Sequence, residues 1–139
     1  MGREEELAEL EGAEAAVAFA SGMAAVSTTL LGLLTPGDHV VAPYPAYQQL
    51  YSVPRALGCD VSLWKIRPET GFSYDVADLE RLVRADTKLI VINTPHNPTG
   101  YLMERAVQQE LARLAARQGF IVFSDEVYRL LVEAGLPNS

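Results

Sequence analysis

The chain has 139 residues, of which 49% are hydrophobic and 21% charged, with a net charge of -7. That suits one small globular domain with a real core, and it argues against a general nucleic-acid surface, because phosphate binding needs clustered cations and the 11 Lys and Arg are scattered. Every apolar run is broken well short of the ~18 residues a membrane helix needs, and no basic-then-apolar leader opens the sequence. We expect a cytoplasmic protein with no membrane partner. The single cysteine, Cys59, excludes an internal disulfide and suits a small core position.

In chain order, the acidic opening "REEELAELEGAE" predicts a solvated helix start. Strands rich in Val, Ile and Phe are expected at 15–20 (AAVAFA), 39–43 (HVVAP), 59–66 (CDVSLWKI), 88–93 (KLIVIN) and 120–124 (FIVFS). Helices are expected between them, at 22–34, 45–57, 75–84 and 104–118. In the last of these Val107, Leu111, Leu114 and Ala115 share a face, and Gly119 is placed to take a left-handed cap. Asp75 caps the helix before it, and Pro54 shortens or kinks the segment from 45. Strand and helix in alternation predict an α/β fold, three layers deep, with helices on both faces of a mostly parallel sheet.

In such sheets ligands bind beyond the carboxyl ends of the strands. After 15–20, Ser21, Gly22 and Met23 open a helix whose free N–H groups and positive dipole end suit a phosphate, although Ser21 also reads as a plain helix cap. After 39–43, Tyr44 sits between two prolines, where its ring can stack on a flat ligand or simply pack. After 88–93 comes the polar turn "NTPHNPTG", in which His96 reads as a hydrogen-bonded turn residue. After 120–124, "SDEVYR" puts Asp125 and Tyr128 three apart, on one side of a helical turn. Asp125 and Glu126 lack the additional ligands a metal site wants, so no metal is expected.

"NTPHNPTG" followed by "SDEVYR" resembles the class I and II aminotransferases, pyridoxal-phosphate enzymes of the aspartate aminotransferase fold (fold type I). "ELEGAEAAVAFASGMAAV" and "LLTPGDHVVAPYPAY" extend the likeness over essentially the whole chain, although "FASGMAAV…LLTPGDHVVA" equally resembles the cystathionine synthase and lyase branch. The resemblance implies that Asn97 and Tyr128 hydrogen-bond the phenolic oxygen of pyridoxal 5'-phosphate, which lowers the pKa of the neighbouring imine. It implies that Asp125 pairs with the protonated ring nitrogen, keeping the ring an electron acceptor. Tyr44 would stack on the ring, and Ser21, Gly22 and Met23 would receive the phosphate. A cis Asn97-Pro98 bond is also expected.

The resemblance further implies amino-acid and 2-oxo-acid substrates and a homodimer. It casts residues 1–139 as part of the large, cofactor-binding domain, without that domain's end, the small C-terminal domain or the cofactor-holding lysine. Lys65 and Lys88 are the only lysines, and Lys88 begins its strand, about 17 Å from the end where the site forms. The expectation is therefore cofactor binding without amino transfer by these residues alone, together with apolar surface left exposed. Elimination or cyclisation chemistry on the same fold, a non-catalytic remnant, and a generic α/β nucleotide binder are the alternatives. The last leaves the combination of Tyr44, Asn97, Asp125 and Tyr128 unexplained.

Overall fold

The computed structural model describes residues 2–131. Four parallel strands, β1 (His39–Tyr44), β2 (Asp60–Lys65), β3 (Thr87–Asn93) and β4 (Ile121–Asp125), lie in the order β2-β1-β3-β4. Five α-helices accompany them: α1 (Arg3–Glu11), α2 (Gly22–Leu33), α3 (Gln49–Ala56), α4 (Val76–Leu82) and α5 (Arg105–Gln118).

Side-chain alternation along the strands builds the layers. Val40, Ala42, Leu89 and Val91 point to one face and pack with Leu30, Leu34 and Leu50 from the α2 and α3 side. Val41, Ile90 and Ile92 point to the other, joining Trp64, Leu79, Leu111 and Leu114. β1 and β3 are buried on both faces through their middles, where Val40–Ala42 and Leu89–Ile92 form short aliphatic runs.

Local chemistry sets the helix ends. Ser21 Oγ accepts the Ala24 N–H at 3.1 Å, starting α2, and Asp75 Oδ1 accepts the Ala77 N–H at 2.9 Å, starting α4. Gly119, at φ 82°, ends α5 in the left-handed conformation. Pro54 lies inside the short α3, whose helical residues begin four later than the sequence pattern suggests, after the loop 45–48.

One predicted element fails. Residues 15–20 are not a strand. Among the described residues no strand lies beside them, and the Ala18 N–H is taken instead by the Glu4 carboxylate at 2.9 Å. A strand exists only through a neighbour's backbone, so apolar composition alone does not produce one. Cys59, expected in the core, is half-buried, its thiol reaching the Thr35 carbonyl at 3.5 Å. Burial and the nearby Asp38 carboxylate push that thiol's pKa up, away from reactivity.

Candidate active site

With β1 and β3 adjacent at the centre and the chain winding outward from them to β2 and to β4, the switch point of the sheet lies at their carboxyl ends, where α/β sheets place ligands. A cavity of about 460 Å³ opens there, lined by the start of α2, the loop after β1, the turn after β3 and the end of β4. Gly22 and Met23, Asn97, Asp125 and Tyr128 all line it, so five of the seven residues expected from the sequence converge.

Each arrives for a local reason. Ser21 does not line the cavity; its side-chain and backbone oxygens take the Ala24 and Ala25 N–H groups. The Gly22 and Met23 amides, which lie before any intrahelical acceptor, are left as donors at the positive end of the helix. Asn97 sits in a turn closed by Gly100 N–H to the His96 carbonyl at 2.7 Å and His96 N–H to the Tyr101 carbonyl at 2.8 Å. Three peptide bonds around the site are cis, Tyr44-Pro45, Thr94-Pro95 and the expected Asn97-Pro98.

His96 is a structural turn residue, as its setting in the sequence suggests. It is buried, its Nδ1 lies 2.7 Å from Thr99 Oγ1, and its Nε2 has no hydrogen-bond partner among the described residues. Burial pulls its pKa down, and the Pro45 carbonyl offsets part of that.

Asp125 is the last residue of β4, and Tyr128 follows in a tight turn rather than in an α-helical turn. Asp125 Oδ1 accepts the Val127 N–H at 3.3 Å, which holds the carboxylate at the mouth of the strand. Phe123, Val26 and Ala25 supply apolar wall. Neither Lys65 nor Lys88 lines the cavity.

Tyr44 is not part of the lining. It is 44% exposed, with its ring edge-on to Tyr51 at 5.8 Å between centroids. The ring that reaches the cavity from this loop is Tyr47, three residues on. Both belong to "PYPAY", and nothing in that string says which ring turns inward. Asn93 also lines the cavity, and sequence reasoning treated it as the end of a strand. Its only signal was a carboxamide closing an otherwise aliphatic run.

The donor set can be tested against a phosphorylated pyridine. Backbone N–H groups at a helix start suit the phosphate. A carboxylate suits a protonated ring nitrogen, while an amide and a phenol suit an anionic ring oxygen. The apolar walls and the volume accommodate the ring between them. The residues present fit the group.

Comparison with known proteins agrees with this chemistry. The family described as Aminotransferase class I and II matches residues 3–138. Among curated relatives, the aspartate aminotransferase of Sulfolobus acidocaldarius is 38% identical over 120 residues, covering 84% of this chain and 30% of that enzyme. A PLP-dependent aminotransferase from Streptococcus suis superposes with a TM-score of 0.73 at 47% identity, covering 76% of this chain and 28% of that one. The Thermus thermophilus aspartate aminotransferase, solved with maleate, gives a TM-score of 0.80 at 34% identity over 86% of this chain and 31% of that one. The chain belongs to the class I and II aminotransferases, and it spans about a third or less of the length of these relatives.

Proposed function

We propose that this chain forms the pyridoxal-phosphate-holding part of an aminotransferase that moves amino groups between amino acids and 2-oxo acids. The observation that carries the reading is the convergence of Gly22, Met23, Asn97, Asp125 and Tyr128 on one cavity, from segments about a hundred residues apart in sequence. Bound there, the cofactor supplies an electron sink for reaction at an amino-acid Cα.

The chain's own residues bind and tune it. The amides of Gly22 and Met23 hold the phosphate. The Asp125 carboxylate holds a proton on the ring nitrogen, while the Asn97 carboxamide and the Tyr128 hydroxyl donate to the ring oxygen and favour its anionic form. Tyr47, which lines the cavity from the loop after β1, would pack against the ring. Phe123 and Val26 exclude water and so strengthen each of these polar contacts.

Neither Lys65 nor Lys88 lines the cavity, so covalent attachment and the proton shuttle at Cα would fall to groups outside the described residues. The 139 residues alone therefore bind cofactor without turnover. Titration with pyridoxal 5'-phosphate and with pyridoxamine 5'-phosphate tests this. Saturable binding that Asp125→Ala weakens is the expected result. Absence of saturable binding overturns the site, and amino-group transfer above a cofactor-only control overturns the claim of inactivity.

A further inference from the structure

Strands β3 and β4 end side by side, Asn93 in register with Asp125. Beyond these two residues the ladder stops, yet the groups that line the cavity are Asp125 itself and Asn97, four residues further along the other branch. Something must hold the two diverging chains at a fixed separation.

The Asn93 side chain spans that gap. It is 1% exposed. Its Oδ1 accepts the Asn97 N–H at 2.6 Å, and its Nδ2 donates to the Asp125 carbonyl at 3.0 Å. The Thr94 N–H reaches the same Asp125 carbonyl at 3.0 Å. Asn93's own carbonyl is held by the buried Tyr74 hydroxyl at 3.2 Å, so the residue is fixed from behind as well. A carboxamide carries an acceptor and donors on one rigid plane. Asp retains the acceptor and loses the donor, and an aliphatic side chain strands both the Asn97 N–H and one lone pair of the Asp125 carbonyl.

We propose that Asn93 is a positioning residue: it sets the distance between Asn97 and Asp125, and so matches the hydrogen-bond donor for one edge of the cofactor ring to the carboxylate for another. The inference rests on the function proposed above. Because its polar atoms are engaged with protein, Asn93 acts through its two neighbours. Polar constellations of this kind tolerate only about 0.5 Å of misplacement.

Asn93→Asp, Asn93→Ala and a control, Thr87→Val, separate positioning from stability. Thr87 is a buried hydroxyl at the opposite end of β3 and touches nothing in the cavity. Two readouts are taken: the Asn97 amide proton shift without ligand, and the affinity and pH titration of bound pyridoxal 5'-phosphate. Asn93→Asp is expected to keep the Asn97 amide downfield and to weaken binding about tenfold. Asn93→Ala should move that amide upfield, weaken binding by on the order of a hundredfold, and shift the cofactor's titration. Thr87→Val should lower the thermal midpoint and leave affinity and titration unchanged.

Wild-type affinity and titration in Asn93→Ala overturn the proposal, as does a loss of affinity in Thr87→Val matching that of Asn93→Ala. Should Asn93→Ala not fold, the near-isosteric Asn93→Asp decides, and wild-type affinity and titration there overturn it. Failure of the wild-type chain to bind the cofactor at all defeats the functional reading, while the Asn97 amide shift still decides whether Asn93 fixes that turn.

Discussion

His39 and Thr87 face each other across β1 and β3, with His39 Nδ1 2.8 Å from Thr87 Oγ1. The other ring nitrogen lies 2.9 Å from Ser62 Oγ on β2, so one fully buried imidazole ties three strands together. The Thr87 hydroxyl also accepts the Arg84 N–H at 2.7 Å. The assignment that satisfies every group has Thr87 donating to Nδ1 and Nε2–H donating to Ser62, a neutral ring.

A pH dependence follows. Burial first, and the Arg84 guanidinium second, lower the pKa of His39 in the folded state, while Asp60 and Asp86 oppose them. Burial lowers the pKa of His96 as well. The unfolded chain therefore binds protons that the folded chain does not as pH falls below about 6.5. Stability is full above that pH and is lost below it. Urea midpoints measured from pH 7.5 down to 5.5 should fall, and the fall should shrink in His39→Gln. A flat profile in the wild-type chain contradicts the neutral-ring assignment. The depressed pKa values of Glu11 and Asp60, each held down by an arginine hydrogen bond, act in a separate, more acidic window.

Trp64 is the only tryptophan. It is fully buried, its Nε1–H donating to the Asp75 carbonyl at 3.0 Å and its ring edge-on to Tyr74 at 4.8 Å. Its emission should be blue-shifted in the native state and move red in a single transition on unfolding. Trp64→Phe leaves the Asp75 carbonyl without this donor and removes ring volume, so a loss of about 2–4 kcal/mol is expected by denaturant titration.

At Gly58 two costs coincide. The residue has φ +84°, and an added Cβ would stand 3.3 Å from the Pro36 Cβ. Gly58→Ala should destabilise by about 1–2 kcal/mol. Gly37→Ala, with φ +94° but open space around it, should lose only the backbone part. Paired thermal melts that gave equal losses would remove Pro36 from the account.

Removing the Asp125 charge should cost pyridoxal 5'-phosphate affinity more than Tyr128→Phe does. A charge-assisted contact is worth about 1.5–3 kcal/mol and a neutral one about 1 kcal/mol. Asp125→Asn keeps the shape and isolates that difference. Calorimetric titrations in which Tyr128→Phe is the more damaging change would reverse the roles assigned to the two residues.

Several large apolar side chains are exposed. Val17 is 68% exposed, Met23 56% and Val127 69%, and β4 is an edge strand among the described residues. Self-association that rises with concentration is expected in sedimentation velocity. Val17→Lys and Val127→Lys should reduce it, and a monomer at every concentration would contradict it.

The strands at the centre of the sheet were legible because each carries an aliphatic run bounded by polar or turn residues. "HVVAP" and "KLIVIN" became β1 and β3 within a residue at each end. "AAVAFA" carries the same signal and forms no strand, since pairing partners are not written in a local string. The helix start at Gly22 and the polar turn were readable from residue type and family likeness. Whether Tyr44 or Tyr47 turns inward, and that Asn93 reaches both Asn97 and Asp125, depends on backbone direction after the strand ends, which composition does not carry.

The pairing of Asn93 with Asp125 also sets where this protein can change length. Those two residues lie 32 apart in sequence, and most of the interval is α5 with the segments either side of it, no residue of α5 lining the cavity. Residues added or removed in the connection before β4 leave the pair in step. A single residue gained or lost inside β3 or β4 turns every following side chain to the opposite face of the sheet, carrying Asn93 or Asp125 out of the cavity. Insertions and deletions among descendants of this sequence should therefore accumulate in the connections at either end of α5 and be absent from Leu89–Asn93 and Ile121–Asp125.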